Sequence, residues 1–184
     1  GGARVVEITM TTPGVLDAFS AIRAEFGDRL YLAAGTTLDA ASARLAILAG
    51  AGVIVSPAVI PEVIATAKRY GAACYCGAFT ATECLAAMQA GADMVKIFPA
   101  ELAGPRYMTN LRMVYPELNL IPSGGISLDN AAQFIQHGAC AVSGARNFFN
   151  RELVASSGLT WITDQVRRYI QLVAEAKANA PELP

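Results

Sequence analysis

Lys96 is the residue whose type and setting point most directly to chemistry, because it lies in the apolar run Met94-Val95-Lys96-Ile97-Phe98. Burying a lysine as a cation is costly, so an apolar strand favours its neutral amine. A neutral amine in such a pocket is the nucleophile that attacks a ketone and forms a Schiff base. The iminium then withdraws electrons, so that a carbon–carbon bond one carbon further on breaks or forms. The alternative is a lysine with a buried stem whose ammonium group reaches solvent at the rim.

Glu7 repeats this pattern, since a carboxylate lies within the apolar run Val5-Val6-Glu7-Ile8. If Glu7 points into the same interior as Lys96, it can act as a general acid or base there. A purely structural ion pair between the two side chains remains the alternative. One acid and one lysine in a single apolar interior favour a catalytic pair that acts on a ketone.

Short apolar strands alternate with longer amphipathic helices along the chain, and this alternation must position the two charged residues. Strands are predicted over residues 3–8, 30–34, 53–56, 73–76, 94–98, 118–122 and 140–143. Helices are predicted over residues 15–26, 40–49, 62–70, 81–90, 107–114, 129–137 and 161–178. Glycine follows several of these helices, among them those that end before Gly50, Gly91 and Gly138, where a left-handed C-cap favours it. The pattern predicts an α/β fold with a parallel sheet, a (β/α)8 TIM barrel.

The number of strands is one short of a closed barrel, which needs eight strand–helix units where the sequence shows seven. We therefore expect that one unit, roughly 30 residues long, is absent before the first visible strand. The alternative is that another element replaces it. Residues 1–178 are expected to form a single domain, and residues 179–184 a frayed tail.

The carboxyl ends of the strands are the place to look for binding residues, because TIM-barrel active sites lie there. Three of these ends carry Thr36, Pro57 and Ser123. The last two strand-to-helix turns contain Gly124-Gly125 and Ser143-Gly144, whose backbone N–H groups predict a phosphate cradle. Glycines that serve tight turns alone are the alternative.

Composition excludes several classes of function. The 184 residues carry a net charge of −1 without a basic patch, which argues against nucleic-acid and membrane-surface partners. No apolar run has the length of a transmembrane helix. The four cysteines lack the spacing of a zinc site and are predicted to be reduced, which favours a cytoplasmic protein. A hydrophobic content of 54% predicts that another subunit covers part of the surface.

Several motifs together resemble the 2-dehydro-3-deoxy-6-phosphogluconate (KDPG) aldolase family and its phosphogalactonate-cleaving relatives. They are Val-Lys-Ile-Phe-Pro-Ala-Glu (95–101), Pro-Ser-Gly-Gly-Ile (122–126), Ala-Gly-Thr (34–36), Val-Ser-Pro (55–57) and residues 1–9. The match runs in order to about residue 150. The resemblance implies a class I aldolase that splits a phosphorylated 2-keto-3-deoxy sugar acid into pyruvate and glyceraldehyde 3-phosphate. It also implies that no metal or other cofactor is needed and that the protein is a homotrimer.

The resemblance implies a role for each matching residue. Lys96 matches the Schiff-base lysine, and Glu7 matches the general acid/base that moves protons through a water. Thr36 and Pro57 match positions that line the pyruvate pocket, and Phe98 joins them as a substrate-binding residue of the lysine motif. Gly124 and Gly125 match the phosphate loop.

The sequence departs from the family pattern at the substrate end of the site. Thr11 stands where the family often has an arginine for the substrate carboxylate, so Thr11, or Thr36 with backbone amides, is expected to bind that group. Ser123 replaces the usual threonine and keeps a hydroxyl for the substrate. The segment Tyr75-Cys76-Gly77-Ala78 differs from the family's common Pro-Gly.

A further departure affects the phosphate. Ala145 stands where the family usually supplies a serine, with Ser143, Gly144 and Arg146 close by in the sequence. Arg146 is expected to compensate as a charged phosphate ligand. Two alternatives stay open: a related aldolase or decarboxylase that acts on an unphosphorylated keto acid, and a non-catalytic oligomeric barrel scaffold. The missing unit motivates the second, because an open sheet edge must be covered or paired.

Overall fold

A computed structural model describes residues 1–144 and 151–181 of the chain. The contacts between residues divide the chain into two compact units. The first unit is Arg4–Lys96, and the second comprises Gly1–Ala3 with Ile97–Pro184.

The first unit is a parallel α/β structure. Its strands are β1 (Val5–Thr9), β2 (Tyr31–Gly35), β3 (Val53–Ser56), β4 (Ala73–Ala78) and most of β5 (Met94–Ile97). They pair in chain order, with Glu7 opposite Ala33 and Ser56 opposite Cys76. The helices are α1 (Val15–Phe26), α2 (Ala40–Leu48), α3 (Pro61–Arg69) and α4 (Ala81–Gln89), with a 3-10 turn at Gly27–Arg29. All four residues of β3 are buried, as expected for a central parallel strand.

Polar side chains fix where two of these helices begin. Asp39 precedes α2 and accepts a hydrogen bond from the Ser42 N–H at 2.7 Å, and this bond lowers the pKa of Asp39. Thr80 and Glu83 form a capping box before α4, in which each side chain accepts from a backbone N–H of the other residue. The caps satisfy N–H groups that the helices leave unbonded, so the preceding loops enter at a defined angle.

Asp93 fixes the segment that leads into β5. Its carboxylate accepts from the Lys68 ammonium at 2.6 Å and from the Cys74 N–H at 2.7 Å. Burial alone would raise the pKa of Asp93, but these hydrogen bonds outweigh it and lower the pKa. A charged Asp93 therefore links α3, β4 and the start of β5, three residues before Lys96.

The second unit contains β6 (Leu120–Pro122) and five helices in its described part. These helices are α5 (Ala100–Ala103), α6 (Pro105–Val114), α7 (Ala131–Gln136), α8 (Arg151–Ser157) and α9 (Thr160–Ala178). Met108 and Leu111 of α6 and Phe134 of α7 are buried. Buried Tyr169 on α9 donates a hydrogen bond to the Ile126 carbonyl at 3.1 Å. The bond ties the loop after β6 to the last helix.

Six of the predicted strands are present to within a few residues, and the seventh prediction was wrong. Residues 140–143 make a single bridge, between Ser123 and Ser143, rather than a strand. The Cys140 and Ser143 N–H groups donate to carbonyls at the two ends of β6, at 2.9 and 3.0 Å. Two such bonds do not make a continuous ladder. The short helices α5 and α8 were not predicted.

The described residues thus form six strands where an eight-stranded barrel was predicted, and the parallel alternation of strands and helices is confirmed. None of the helices within the described ranges is long and apolar enough to cross a membrane. Residues 1–144 and 151–181 also contain no cluster of three histidine, cysteine, aspartate or glutamate side chains that could hold a metal ion.

Candidate active site

The structure brings Lys96 and Glu7 together in the first unit. The Lys96 Nζ lies 3.6 Å from Oε1 of Glu7, and the two side chains are 14% and 30% exposed. Side chains alternate along a strand, so Lys96 points to the face opposite that of its buried neighbour Val95. At this spacing the two groups form an ion pair, and a small shift of either side chain would bring them within hydrogen-bond distance for proton transfer.

Gly35 gives the Glu7 carboxylate its space, and the sequence did not reveal this function. A Cβ at position 35 would overlap Oε1 of Glu7 and lie 2.7 Å from its carboxyl carbon. Glu7 pairs with Ala33, so Gly35 is the next residue of β2 on the same face. Any side chain at position 35 would displace the carboxylate. The signal was present in Ala34-Gly35-Thr36, but only the strand register shows what the glycine accommodates.

Thr36 follows β2 in a left-handed backbone conformation, with φ of +55°. This conformation is unfavourable for a β-branched residue and is found where the surroundings impose it. The next residue provides such a constraint: the buried Thr37 hydroxyl donates to the Ala34 carbonyl at 2.9 Å, and its N–H donates to Val55 at 3.1 Å. The backbone at Thr36 is therefore held at the carboxyl end of β2.

Thr11 and Pro57 follow the carboxyl ends of two further strands. The Thr11 hydroxyl lies 2.9 Å from that of Thr9 in the exposed loop after β1. Pro57 follows β3 and packs against Gly77 of β4 so closely that a Cβ there would overlap the Pro57 carbonyl. Parallel strands have their carboxyl ends at the same edge of a sheet. Thr11, Thr36 and Pro57 follow such ends, and Lys96 lies near the carboxyl end of β5, so all four are at this edge.

The second unit brings together the residues predicted to bind the rest of a substrate. Gly124 has φ of +86°, and a Cβ there would lie 3.2 Å from Cε2 of Phe98. Ser123 is bridged to Ser143, and its carbonyl accepts from the Ala100 N–H at 2.7 Å. Gly125 also has a positive φ, of +71°. The left-handed conformations explain why glycine occupies both positions.

Asn130 anchors the glycine turn, a function that the sequence did not reveal. Its amide nitrogen donates to the Gly125 carbonyl at 2.9 Å, and its oxygen accepts from the Ser127 N–H at 2.8 Å. The turn before α7 is thereby closed on itself. Of the other predicted phosphate ligands, Gly144 directly follows Ser143, and Arg146 lies outside the described residues, as does Ala145.

The cysteines form no disulfide, in agreement with the prediction that they are reduced. All four are free. Burial raises the pKa of Cys74 to about 12 and that of Cys84 to about 11, and it also raises those of Cys76 and Cys140. These thiols are protonated at neutral pH and are therefore poor nucleophiles. Lys96 remains the side chain best suited to attack a carbonyl.

Comparison with known sequences finds aldolases by both a family model and individual relatives. Residues 1–165 match the family model described as KDPG and KHG aldolase. A 2-dehydro-3-deoxy-phosphogluconate aldolase of Treponema pallidum (strain Nichols) is 34% identical over 174 residues, which are 94% of this chain and 82% of the relative. A 2-dehydro-3-deoxy-6-phosphogalactonate aldolase of Escherichia coli (strain K12) is 36% identical over 144 residues, 78% of this chain and 70% of the relative.

Solved structures show the same relationship. A structure described as native KDPGal superposes with a TM-score of 0.86 and 30% identity, covering 93% of this chain and 82% of the other. A cube-shaped protein cage designed by fusing symmetric oligomeric domains has a TM-score of 0.86 and 29% identity. The superposition covers 94% of this chain and 63% of the cage chain.

Proposed function

Because the chain belongs to the KDPG and KHG aldolase family, we propose that it is a class I aldolase in which Lys96 is the Schiff-base residue. Its substrate is a phosphorylated 2-keto-3-deoxy sugar acid of gluconate or galactonate configuration. The products are pyruvate and glyceraldehyde 3-phosphate. The observation that carries the assignment is the 3.6 Å spacing between the Lys96 amine and the Glu7 carboxylate. No metal or other cofactor takes part.

The reaction begins at the ketone. The Lys96 amine attacks C2 of the substrate, and the carbinolamine loses water to give an iminium. Glu7 takes the proton of the C4 hydroxyl through a water, and the C3–C4 bond breaks. Its electron pair moves to the iminium nitrogen, which yields glyceraldehyde 3-phosphate and an enamine. Protonation of the enamine at C3, followed by hydrolysis, releases pyruvate and restores the amine and the carboxylate.

The remaining residues of the first unit bind the keto acid end. Thr11 and Thr36 are assigned to the substrate carboxylate, because this chain has no arginine at position 11 and both residues follow strand ends. The constrained backbone of Thr36 supports this role, since a fixed donor costs less ordering on binding. Pro57 contributes an apolar wall for the methyl group of pyruvate.

The second unit binds the hydroxyl and phosphate end. Phe98 and Ser123 are assigned to the sugar chain, and Gly124, Gly125, Ser143 and Gly144 to the phosphate. The support is the turn closed by Asn130, whose two glycines have the positive φ angles typical of backbone N–H nests that bind anions. Arg146 is proposed as the charged ligand that compensates for Ala145.

Borohydride trapping with pyruvate, followed by peptide mass mapping, tests the function. We expect a reduced pyruvate adduct on Lys96 and on no other lysine. Sedimentation of the same sample measures its oligomeric state and so tests the alternative of a non-catalytic oligomeric scaffold. A folded oligomer that forms no adduct and cleaves no keto acid would contradict the aldolase and favour a non-catalytic scaffold.

A second candidate function is an aldolase of unphosphorylated keto acids, because Ala145 stands where the family has a serine for the phosphate. Whether the enzyme requires the substrate phosphate is therefore a separate prediction. Charged hydrogen bonds contribute about 1.5–3 kcal/mol each, so loss of the phosphate should lower kcat/KM by about 10²-fold or more. The measurement compares 2-keto-3-deoxygluconate and its galactonate epimer, each with and without the 6-phosphate. Equal kcat/KM values for both forms would remove the phosphate assignment.

We also propose that residues 1–178 belong to one TIM-barrel domain, with residues 179–184 as its tail, and that a further strand–helix unit lies beside β1. The exposed edge strand β1, whose Val5 is 46% exposed, supports this because such an edge favours a further strand. The domain is proposed to act as a cytoplasmic homotrimer. Exposed apolar side chains of the second unit, Leu102, Met113 and Val114, support burial against another subunit. No nucleic-acid or membrane partner is proposed.

A further inference from the structure

The turn that carries Pro57 is held by two buried side chains that share one acceptor. The Ser56 hydroxyl donates to the Ala58 carbonyl at 2.8 Å, and the Cys76 thiol donates to the same oxygen at 3.5 Å. Ser56 and Cys76 are both fully buried. A carbonyl oxygen has two lone pairs, so the two donors satisfy it completely. The peptide between Ala58 and Val59, one residue beyond Pro57, is therefore fixed from two directions.

Strand β4 supplies this support from directly beside the turn. Ser56 and Cys76 are register partners in the β3–β4 pair. At the next position a Cβ on Gly77 would overlap the Pro57 carbonyl and lie 2.7 Å from the Ala58 nitrogen. The turn thus rests on the β4 backbone, and the Cys76 side chain adds the only thiol hydrogen bond to it among the described residues.

The thiol keeps the hydrogen that this bond needs. Burial raises the pKa of Cys76, and the hydrogen bonds to Ser56 and to the backbone of Ile60 oppose this only in part. Cys76 is therefore a protonated donor at neutral pH. Its single hydrogen has a nearer acceptor in the Ala58 carbonyl, at 3.5 Å, than in the Gly77 carbonyl, at 3.8 Å.

We propose that Cys76 is a positioning residue for substrate binding: its thiol, together with Ser56, fixes the Ala58 peptide and thereby the place of Pro57. The inference rests on the proposed function, because Pro57 forms the wall for the pyruvate methyl group. Cys76 touches neither substrate nor Lys96 in this scheme. It determines how well the keto acid is bound and leaves the bond-breaking step to Lys96 and Glu7.

The test compares Cys76→Ala, Cys76→Ser and Cys74→Ala by steady-state kinetics of aldol cleavage. The loss of one hydrogen bond to a positioning group predicts that Cys76→Ala raises KM about 3- to 10-fold, with kcat within about 2-fold. Cys76→Ser keeps a donor and should restore KM to within about 2-fold of the parent. Cys74→Ala removes an equally buried thiol from the same face of β4 and should leave KM unchanged.

Thermal unfolding of the three variants separates positioning from general destabilisation. Both alanine variants should lose similar stability, whereas only Cys76→Ala should change KM. An unchanged KM in Cys76→Ala, or an equal rise in Cys74→Ala, would overturn the proposal. If Cys76→Ala does not fold, Ser56→Ala removes the other donor, and an unchanged KM in that variant overturns it as well. Absence of a pyruvate adduct in the parent chain would instead contradict the aldolase function itself.

Discussion

Lys96→Met should abolish both the pyruvate adduct and aldol cleavage while the protein stays folded. Methionine has nearly the length of lysine and fits the largely buried site, but it has no amine to form the carbinolamine. We expect kcat/KM to fall by at least about 10³-fold, because every later step depends on the imine. The measurements are borohydride trapping with pyruvate, steady-state cleavage, and thermal unfolding to establish that the variant is folded.

Lys68→Met is the matched control for this experiment. Lys68 belongs to the same unit and forms an ion pair with Asp93 at 2.6 Å, but its side chain is 45% exposed. Its replacement should lower the free energy of unfolding by about 1 kcal/mol or less, as for other exposed ion pairs, and leave the adduct in place. An adduct that persists in Lys96→Met, or one lost equally in Lys68→Met, would show that another amine is the nucleophile.

The proposed reactive pair, Lys96 and Glu7, could be identified in the sequence because both residues violate a local rule. Lys96 and Glu7 lie in strands whose other side chains are apolar, and charged residues are rarely placed there without a partner. The strands that carry them were recognised from short apolar runs. The rule identifies the residues, but their 3.6 Å spacing depends on how distant strands are arranged and is seen only in the structure.

The residues that support the candidate site could not be predicted, since their function depends on strand register and loop closure. Gly35 matters because Glu7 pairs with Ala33, which places the glycine next on the same face. Asn130 matters because its side chain folds back onto Gly125, five residues earlier. The erroneous strand over residues 140–143 has a related cause. An apolar run suggests a strand, but the ladder also requires a partner in register along its whole length.

Glu7→Gln should lower kcat by about 10²- to 10⁴-fold, the usual contribution of a general acid/base, and affect pyruvate binding much less. Glutamine keeps the size and polarity of the side chain beside Lys96 but cannot accept and return the proton of the C4 hydroxyl. The measurements are kcat for cleavage and the pyruvate concentration that gives half-maximal trapping. Full turnover in this variant would remove Glu7 from the mechanism and leave a structural ion pair with Lys96.

Gly35→Ala tests the same proton transfer without changing the carboxylate. Its Cβ would overlap the position of the Glu7 carboxylate, which must therefore move. Because a displacement of about 1 Å can lower a rate by about 10²-fold, we expect kcat to fall by about 10- to 100-fold with KM little changed. Gly52→Ala is the control, since a Cβ there meets only Cδ1 of Tyr31, at 4.0 Å, and should leave kcat unchanged.

Glu7→Gln and Gly35→Ala together show whether turnover depends on the exact position of the Glu7 carboxylate or only on its presence. If the position of the Glu7 carboxylate matters, Gly35→Ala must lower kcat while the reduced adduct on Lys96 still forms, because imine formation needs the amine and not a closely placed base. A loss of both kcat and adduct would mean that the alanine disturbs the Lys96 pocket as a whole. Normal kcat in Gly35→Ala would show that the carboxylate works through a water at more than one position, and the tight packing against Gly35 would then serve the fold alone.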